Sequence, residues 1–78
     1  MSYTAGFIDE LNVLRLFDLA NHQEGIKVHK EAGEQSIEAA QRLFDKGLID
    51  QIDGGYLTDI GLEAAEHAQN LLMILTTK

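Results

Sequence analysis

Leu43-Phe44-Asp45-Lys46-Gly47-Leu48-Ile49-Asp50-Gln51-Ile52-Asp53-Gly54-Gly55-Tyr56-Leu57-Thr58-Asp59-Ile60-Gly61 reads as the end of one helix, a tight hairpin and the start of another helix. Gly47 follows the last turn of the first of these, where a glycine takes the left-handed conformation that ends a helix. Residues 48–52 and 56–58 form the hairpin arms. Asp53-Gly54 between them favours the positive φ angles of a type I′ turn, and Gly55 is placed to form a bulge. Thr58 stands where an N-cap belongs, with Asp59 near the positive end of the following helix dipole. Gly61, lacking a side chain in that first turn, lets the hairpin pack against the helix. Helix, hairpin and helix in this order make the wing of a winged helix.

Upstream of the wing the same architecture continues. A helix over residues 34–46, capped by Ser36 or Glu34, lines Ile37, Ala40, Leu43 and Phe44 on one face and occupies the recognition-helix position. Ala39 adds helix propensity. Before it, Lys30-Glu31-Ala32-Gly33 has room for little more than one helical turn, where an ordinary helix-turn-helix has a full second helix. Ile26-Lys27-Val28-His29 alternates like a very short strand that would pair with the hairpin, after a polar loop over 21–25. The first helix is expected over residues 7–20, from Phe7, Ile8, Leu11, Leu14, Phe17 and Ala20 at three-to-four spacing, with Thr4 as its N-cap. Val13, Leu16 and Leu19 fall off that stripe and widen the apolar face.

The C-terminal helix, expected over residues 59–76, carries a core stripe of Leu62, Ala65, Ala68, Leu72 and Leu75. Leu71, Met73 and Ile74 complete an unbroken apolar run with Leu72 and Leu75. One small domain cannot cover all sides of it, so Leu71, Leu72, Met73, Ile74 and Leu75, together with the off-stripe Val13, Leu16 and Leu19 of the first helix, are expected to form the interface of a two-fold homodimer; the alternative is a frayed C-terminus whose last turn tucks beneath the first helix. The fold class is therefore mainly α with a small β-hairpin, a winged-helix-like α+β domain spanning residues 1–78.

Composition bounds the rest. A chain of 78 residues buries only about 60% of its unfolded surface, so its stability is marginal without help. The chain contains no cysteine, hence neither a disulfide nor a thiolate metal site can supply that help, and a reducing compartment fits. The first residues lack the basic start and apolar core of a signal peptide, and no apolar run approaches the roughly 20 residues of a membrane span. A soluble, cytoplasmic protein with no membrane partner is expected. Thirteen carboxylates against six basic residues give a formal net charge of -7, which opposes association with polyanions.

Glu10-Leu11-Asn12-Val13-Leu14, Gln23-Glu24-Gly25-Ile26-Lys27-Val28-His29, Lys46-Gly47-Leu48-Ile49, Asp53-Gly54-Gly55-Tyr56-Leu57-Thr58 and Ala64-Ala65-Glu66-His67 together cover much of the chain. In these stretches it resembles a family of short uncharacterised proteobacterial proteins, some of them labelled DNA-binding proteins or transcriptional regulators. The resemblance supplies a label, leaves function open and carries over no catalytic or ligand residue.

Catalysis finds little to stand on. His22, His29 and His67 each have a carboxylate nearby, namely Glu24, Glu31 and Glu63. A catalytic metal wants at least three fixed ligands, which such pairs do not make. Ser2 and Ser36 are the only serines, and helix capping accounts for Ser36. Gly54-Gly55 lies in a hairpin and not ahead of a phosphate-binding helix. No enzyme activity, cofactor or metal is expected.

Direct DNA binding rests on architecture. Between Glu34 and Thr58, Arg42 and Lys46 face Glu34, Glu38, Asp45, Asp50 and Asp53, so two cations against five carboxylates leave net -3. Duplex affinity comes from neutralising phosphates, about 6–10 of them in a useful binder. Lys27 and Lys30 could add a small basic spot, and Gln35, Gln41 and Arg42 are chemically able to read base edges. The favoured reading is a non-catalytic, homodimeric, regulator-like module acting through another protein. The alternative is a sequence-specific DNA-binding transcriptional regulator contacting DNA through Lys27, Lys30, Gln41, Arg42 and Lys46.

Overall fold

The computed structural model describes residues 1–21 and 23–77. Thr4 starts the first helix, its hydroxyl accepting the Phe7 N–H at 3.2 Å, and α1 runs over Ala5–Leu14. It is shorter than the expected span of 7–20. The physical reason lies in competing partners for the backbone. Gln69 donates to the carbonyls of Leu14 and Phe17 at 3.2 and 2.8 Å, satisfying acceptors that a continuing helix would have used. The side chains of Asp18 and Asn21 then accept the N–H groups two residues on, as short polar side chains do outside helices. Of the expected stripe Leu14 and Phe17 are buried, Val13 from beside it is buried too, and Phe7, Ile8 and Leu16 are exposed.

Strand β1 is Ile26–Lys27, and a single 3-10 turn at Lys30–Ala32 stands where a second helix would be. Helix α2, Glu34–Asp45, begins at Gly33 with no side-chain cap. Ser36 lies inside the helix, and Glu34 is its first residue, near the positive end of the dipole. At its C-terminus Gly47 has φ +78°, and the Leu48 and Gly47 N–H groups return to the carbonyls of Leu43 and Phe44 at 2.9 and 3.0 Å.

Strands β2 (Ile49–Gln51) and β3 (Gly54–Leu57) form the wing, and the antiparallel sheet runs β1-β3-β2. Gln51 pairs with Gly54, so the turn residues are Ile52 and Asp53 rather than Asp53 and Gly54. Neither has a positive φ; the positive angles fall one position later, at Gly54 (132°) and Gly55 (73°). The register shifts between Ile49 and Gln51, leaving an extra residue on β3, and the Asp50 carboxylate accepts the Tyr56 N–H at 2.8 Å. The bulge expected at Gly55 is there, and it moves the type I′ geometry off the turn. β1 closes on the same spot: a Cβ on Gly54 would lie 2.5 Å from the Ile26 carbonyl oxygen.

Thr58 joins wing to helix. Its hydroxyl accepts the Gly61 N–H at 3.1 Å and donates to the Gly47 carbonyl at 2.6 Å, at the start of α3, Asp59–Leu75. Gly61 packs directly on the Leu48 carbonyl. The core gathers Val13, Leu14 and Phe17 with Ala39, Ala40 and Leu43 of α2, Val28, Ile49 and Ala65. Alanines at the helix contacts, Ala39 and Ala40 on α2 and Ala65 on α3, allow each of these helices to approach α1.

Candidate functional site

Glu10 lies on α1, three residues after Phe7 and four before Leu14, so helical spacing turns it with them toward α2. It is 6% exposed, the one buried charged residue among those described. A carboxylate out of water needs internal partners. Arg42 and Lys46, four residues apart on α2, supply them: Arg42 Nε donates at 3.3 Å, and Lys46 Nζ binds the other carboxylate oxygen. Arg42 also donates to the Gly6 carbonyl at 3.1 Å, and Lys46 Nζ stands 5.2 Å from the Phe7 ring centroid, within cation–π range.

This arrangement changes what α2 offers to solvent. Both cations of the recognition-position helix turn sideways onto α1, and Glu34, Gln35, Glu38, Gln41 and Asp45 are exposed. Lys27 lies 3.9 Å from Asp53 at the wing. Of the five residues singled out for nucleic acid, Lys30 and Gln41 are exposed and make no ion pair or side-chain hydrogen bond among the described residues. The wing tip carries Ile52 and its flank Tyr56, both exposed.

A second surface lies at the other end of the molecule. Leu71, Leu72, Met73, Ile74 and Leu75 are all exposed, from 39% at Leu71 to 70% at Leu75. Leu71, Leu72 and Leu75 form one wall of an apolar groove whose other wall is Ile8, Leu11, Asn12 and Arg15 beside α1. The sequence pattern picked out the helix run. It did not foresee the groove, because Ile8 was assigned to the core stripe.

The described histidines, His29 and His67, lie on exposed surface. His67 Nε2 is 4.0 Å from the Glu63 carboxylate, and His22 lies outside the described residues. Among the described residues no group of three or more His, Cys, Asp or Glu could hold a metal ion. A small cleft at the base of the wing is lined by Asp18, Glu24, Tyr56, Thr58 and Asp59, and its Thr58 hydroxyl is engaged by the Gly47 carbonyl and the Gly61 N–H. Among the described residues no helix is long and apolar enough to cross a membrane. Glu10 and Gln69 were missed from sequence. For Glu10 the signal was available: a lone carboxylate embedded at helical spacing in an apolar face.

The order helix, strand, short turn, helix, two-stranded wing, helix, with the first strand paired to the last, defines a winged-helix-like α+β protein. Within that class the chain belongs to DUF5669, a family of unknown function, which it matches over residues 1–76. The family's description assigns no activity and lends no support to a DNA-binding label. Comparisons with curated proteins and with solved structures returned no match.

Proposed function

We propose that this protein is a non-catalytic, regulator-like module that acts through protein–protein contacts as a homodimer. The observation that carries the reading is the engagement of Arg42 and Lys46 by buried Glu10. A winged helix that binds duplex DNA does so with cations aimed outward from the recognition helix and the wing, because phosphate neutralisation supplies most of the affinity. Here those cations hold α1 to α2, and the outward face carries Glu34, Glu38 and Asp45 beside two glutamines. That face suits a partner with basic or hydrogen-bonding side chains and repels phosphate. The homodimer part of the reading draws on the exposed run at 71–75. Exposed leucine, methionine and isoleucine in contiguous positions mark a surface that is covered in use.

Fluorescence anisotropy with random duplex DNA tests the first part. The expected outcome is no saturable binding at about 150 mM salt, with any low-salt signal vanishing as counterion release weakens. Submicromolar binding that persists at that salt would overturn the reading.

A further inference from the structure

We propose that the groove between α1 and α3 docks an amphipathic helix of a different protein, one whose apolar ridge carries a carboxylate beside it placed to meet Arg15. This deepens the protein-contact reading above and rests on it. Both walls of the groove have helical spacing. Ile8, Leu11, Asn12 and Arg15 on the α1 side stand at i, i+3, i+4 and i+7. Ala68, Leu71, Leu72 and Leu75 on α3 repeat the same intervals. At 1.5 Å per residue each wall runs for about 10 Å, or two helical turns. Side chains at these intervals accept a ridge of the same spacing from a third helix, so residues i, i+4 and i+7 of the occupant lie along the groove.

The polar residues of the groove specify the charge of its occupant. Asn12 and Arg15 both belong to the α1 wall, and the α3 wall is wholly apolar. Arg15 is exposed and, unlike Arg42, Lys46 and Lys27, has no ion pair among the described residues. A guanidinium at the rim of an apolar groove presents a planar fork that a carboxylate matches with two hydrogen bonds, which fixes the orientation of an otherwise apolar contact. The helices of this chain do not offer such an occupant. On α2 the outward face carries Glu34, Glu38 and Asp45 with Phe44 as its one exposed apolar residue. On α1, Phe7 faces Lys46 and Ile8 is itself groove wall. On α3, Ile60 has Glu63 beside it, but His67 stands where the next apolar turn would be, and the exposed run from Leu71 begins more than a turn after Glu66, the last carboxylate. No face of a second copy thus combines two apolar turns with a carboxylate alongside.

The test is a selection from displayed, stapled helical peptides of about 14 residues, a length at which a staple holds the helix. Leucine is fixed at i, i+4 and i+7, and the other positions are randomised among Glu, Gln and Lys. The targets are the parent, Arg15→Glu and Leu72→Glu, each shown to be folded by circular dichroism and a thermal melt. The parent should enrich Glu at one position flanking the leucines, Arg15→Glu should enrich Lys at that same position, and Leu72→Glu should enrich nothing. Replacing the selected Glu by Lys should weaken binding to the parent at least about threefold and strengthen binding to Arg15→Glu, as one solvent-exposed ion pair allows. Arg15→Gln should remove the preference without reversing it. If Arg15 serves only the C-terminus of α1, its variants shift the melt and leave the selection unaltered. An empty selection, or leucine peptides with the same charge preference on the parent and Arg15→Glu, overturns the proposal. So does a parent dimer that Ile8→Glu, outside the run 71–75, converts to single chains in sedimentation, because a second copy then fills the groove. Saturable binding of sodium decanoate together with an empty selection assigns the groove to a fatty acid and overturns it as well. The protein-contact reading falls separately, to the duplex binding described above.

Discussion

Glu10 shows how one side chain redirects two others. Its carboxylate is buried between α1 and α2, and its partners Arg42 and Lys46 are each about half exposed, so the cluster is partly solvated and worth less than a fully buried ion pair. Arg42→Ala leaves the carboxylate with one partner and should destabilise the fold by about 1–2 kcal/mol in urea titrations. A double-mutant cycle with Glu10→Gln should return a coupling of about 1 kcal/mol or more; additive effects would detach Arg42 from the clamp. The consequence for function is practical: loss of any activity in Arg42→Ala reports on stability first, and Gln41 and Lys30 are the cleaner probes of the α2 face. Gly61 is the second decisive residue. In an ordinary helix Gly→Ala stabilises by about 1 kcal/mol. Here a Cβ would run into the Leu48 carbonyl, backbone that cannot swing aside. Gly61→Ala should therefore destabilise by about 2–3 kcal/mol, and a thermal melt at or above that of the parent would separate the wing from α3.

Among the elements, the wing and α3 were the most legible from sequence, because their signals are chemical and local. Gly47 ends α2, Thr58 caps α3, and Gly61 admits the hairpin, each as its residue type dictates. Thr58→Ala removes both the cap and the bond to the Gly47 carbonyl and should cost about 1–2 kcal/mol. Gly54→Val must break the positive φ and the approach of Ile26 together, and should disrupt β1–β3 pairing as seen by loss of amide protection at Val28, which donates to Asp53. What could not be read was set by distant residues. The turn shifted because Asp50 captures the Tyr56 N–H across the hairpin, and α1 stopped early because Gln69, more than fifty positions away, captures the carbonyls of Leu14, its last residue, and of Phe17 beyond it. Periodicity alone continued α1 to Ala20, since Phe17 is buried whether or not the chain between is helical.

At the scale of the whole molecule, the carboxylates of α2 and the wing oppose polyanions, and the longest run of exposed hydrophobic residues, Leu71 to Leu75, lies where α3 ends. The net charge and the apolar run were visible in the sequence. The inward turn of Arg42 and Lys46 was not, because it depends on α1 laying Glu10 across α2, a tertiary arrangement that no local pattern encodes. The most direct measurement is a genomic-fragment selection by the parent protein at about 150 mM salt, where a few weak phosphate contacts no longer hold duplex. No enriched fragment is expected, with Lys30→Ala and Gln41→Ala indistinguishable from the parent. Recovery of a defined site that is lost in Gln41→Ala, a substitution that spares the Glu10 cluster, would contradict a protein-facing role for α2.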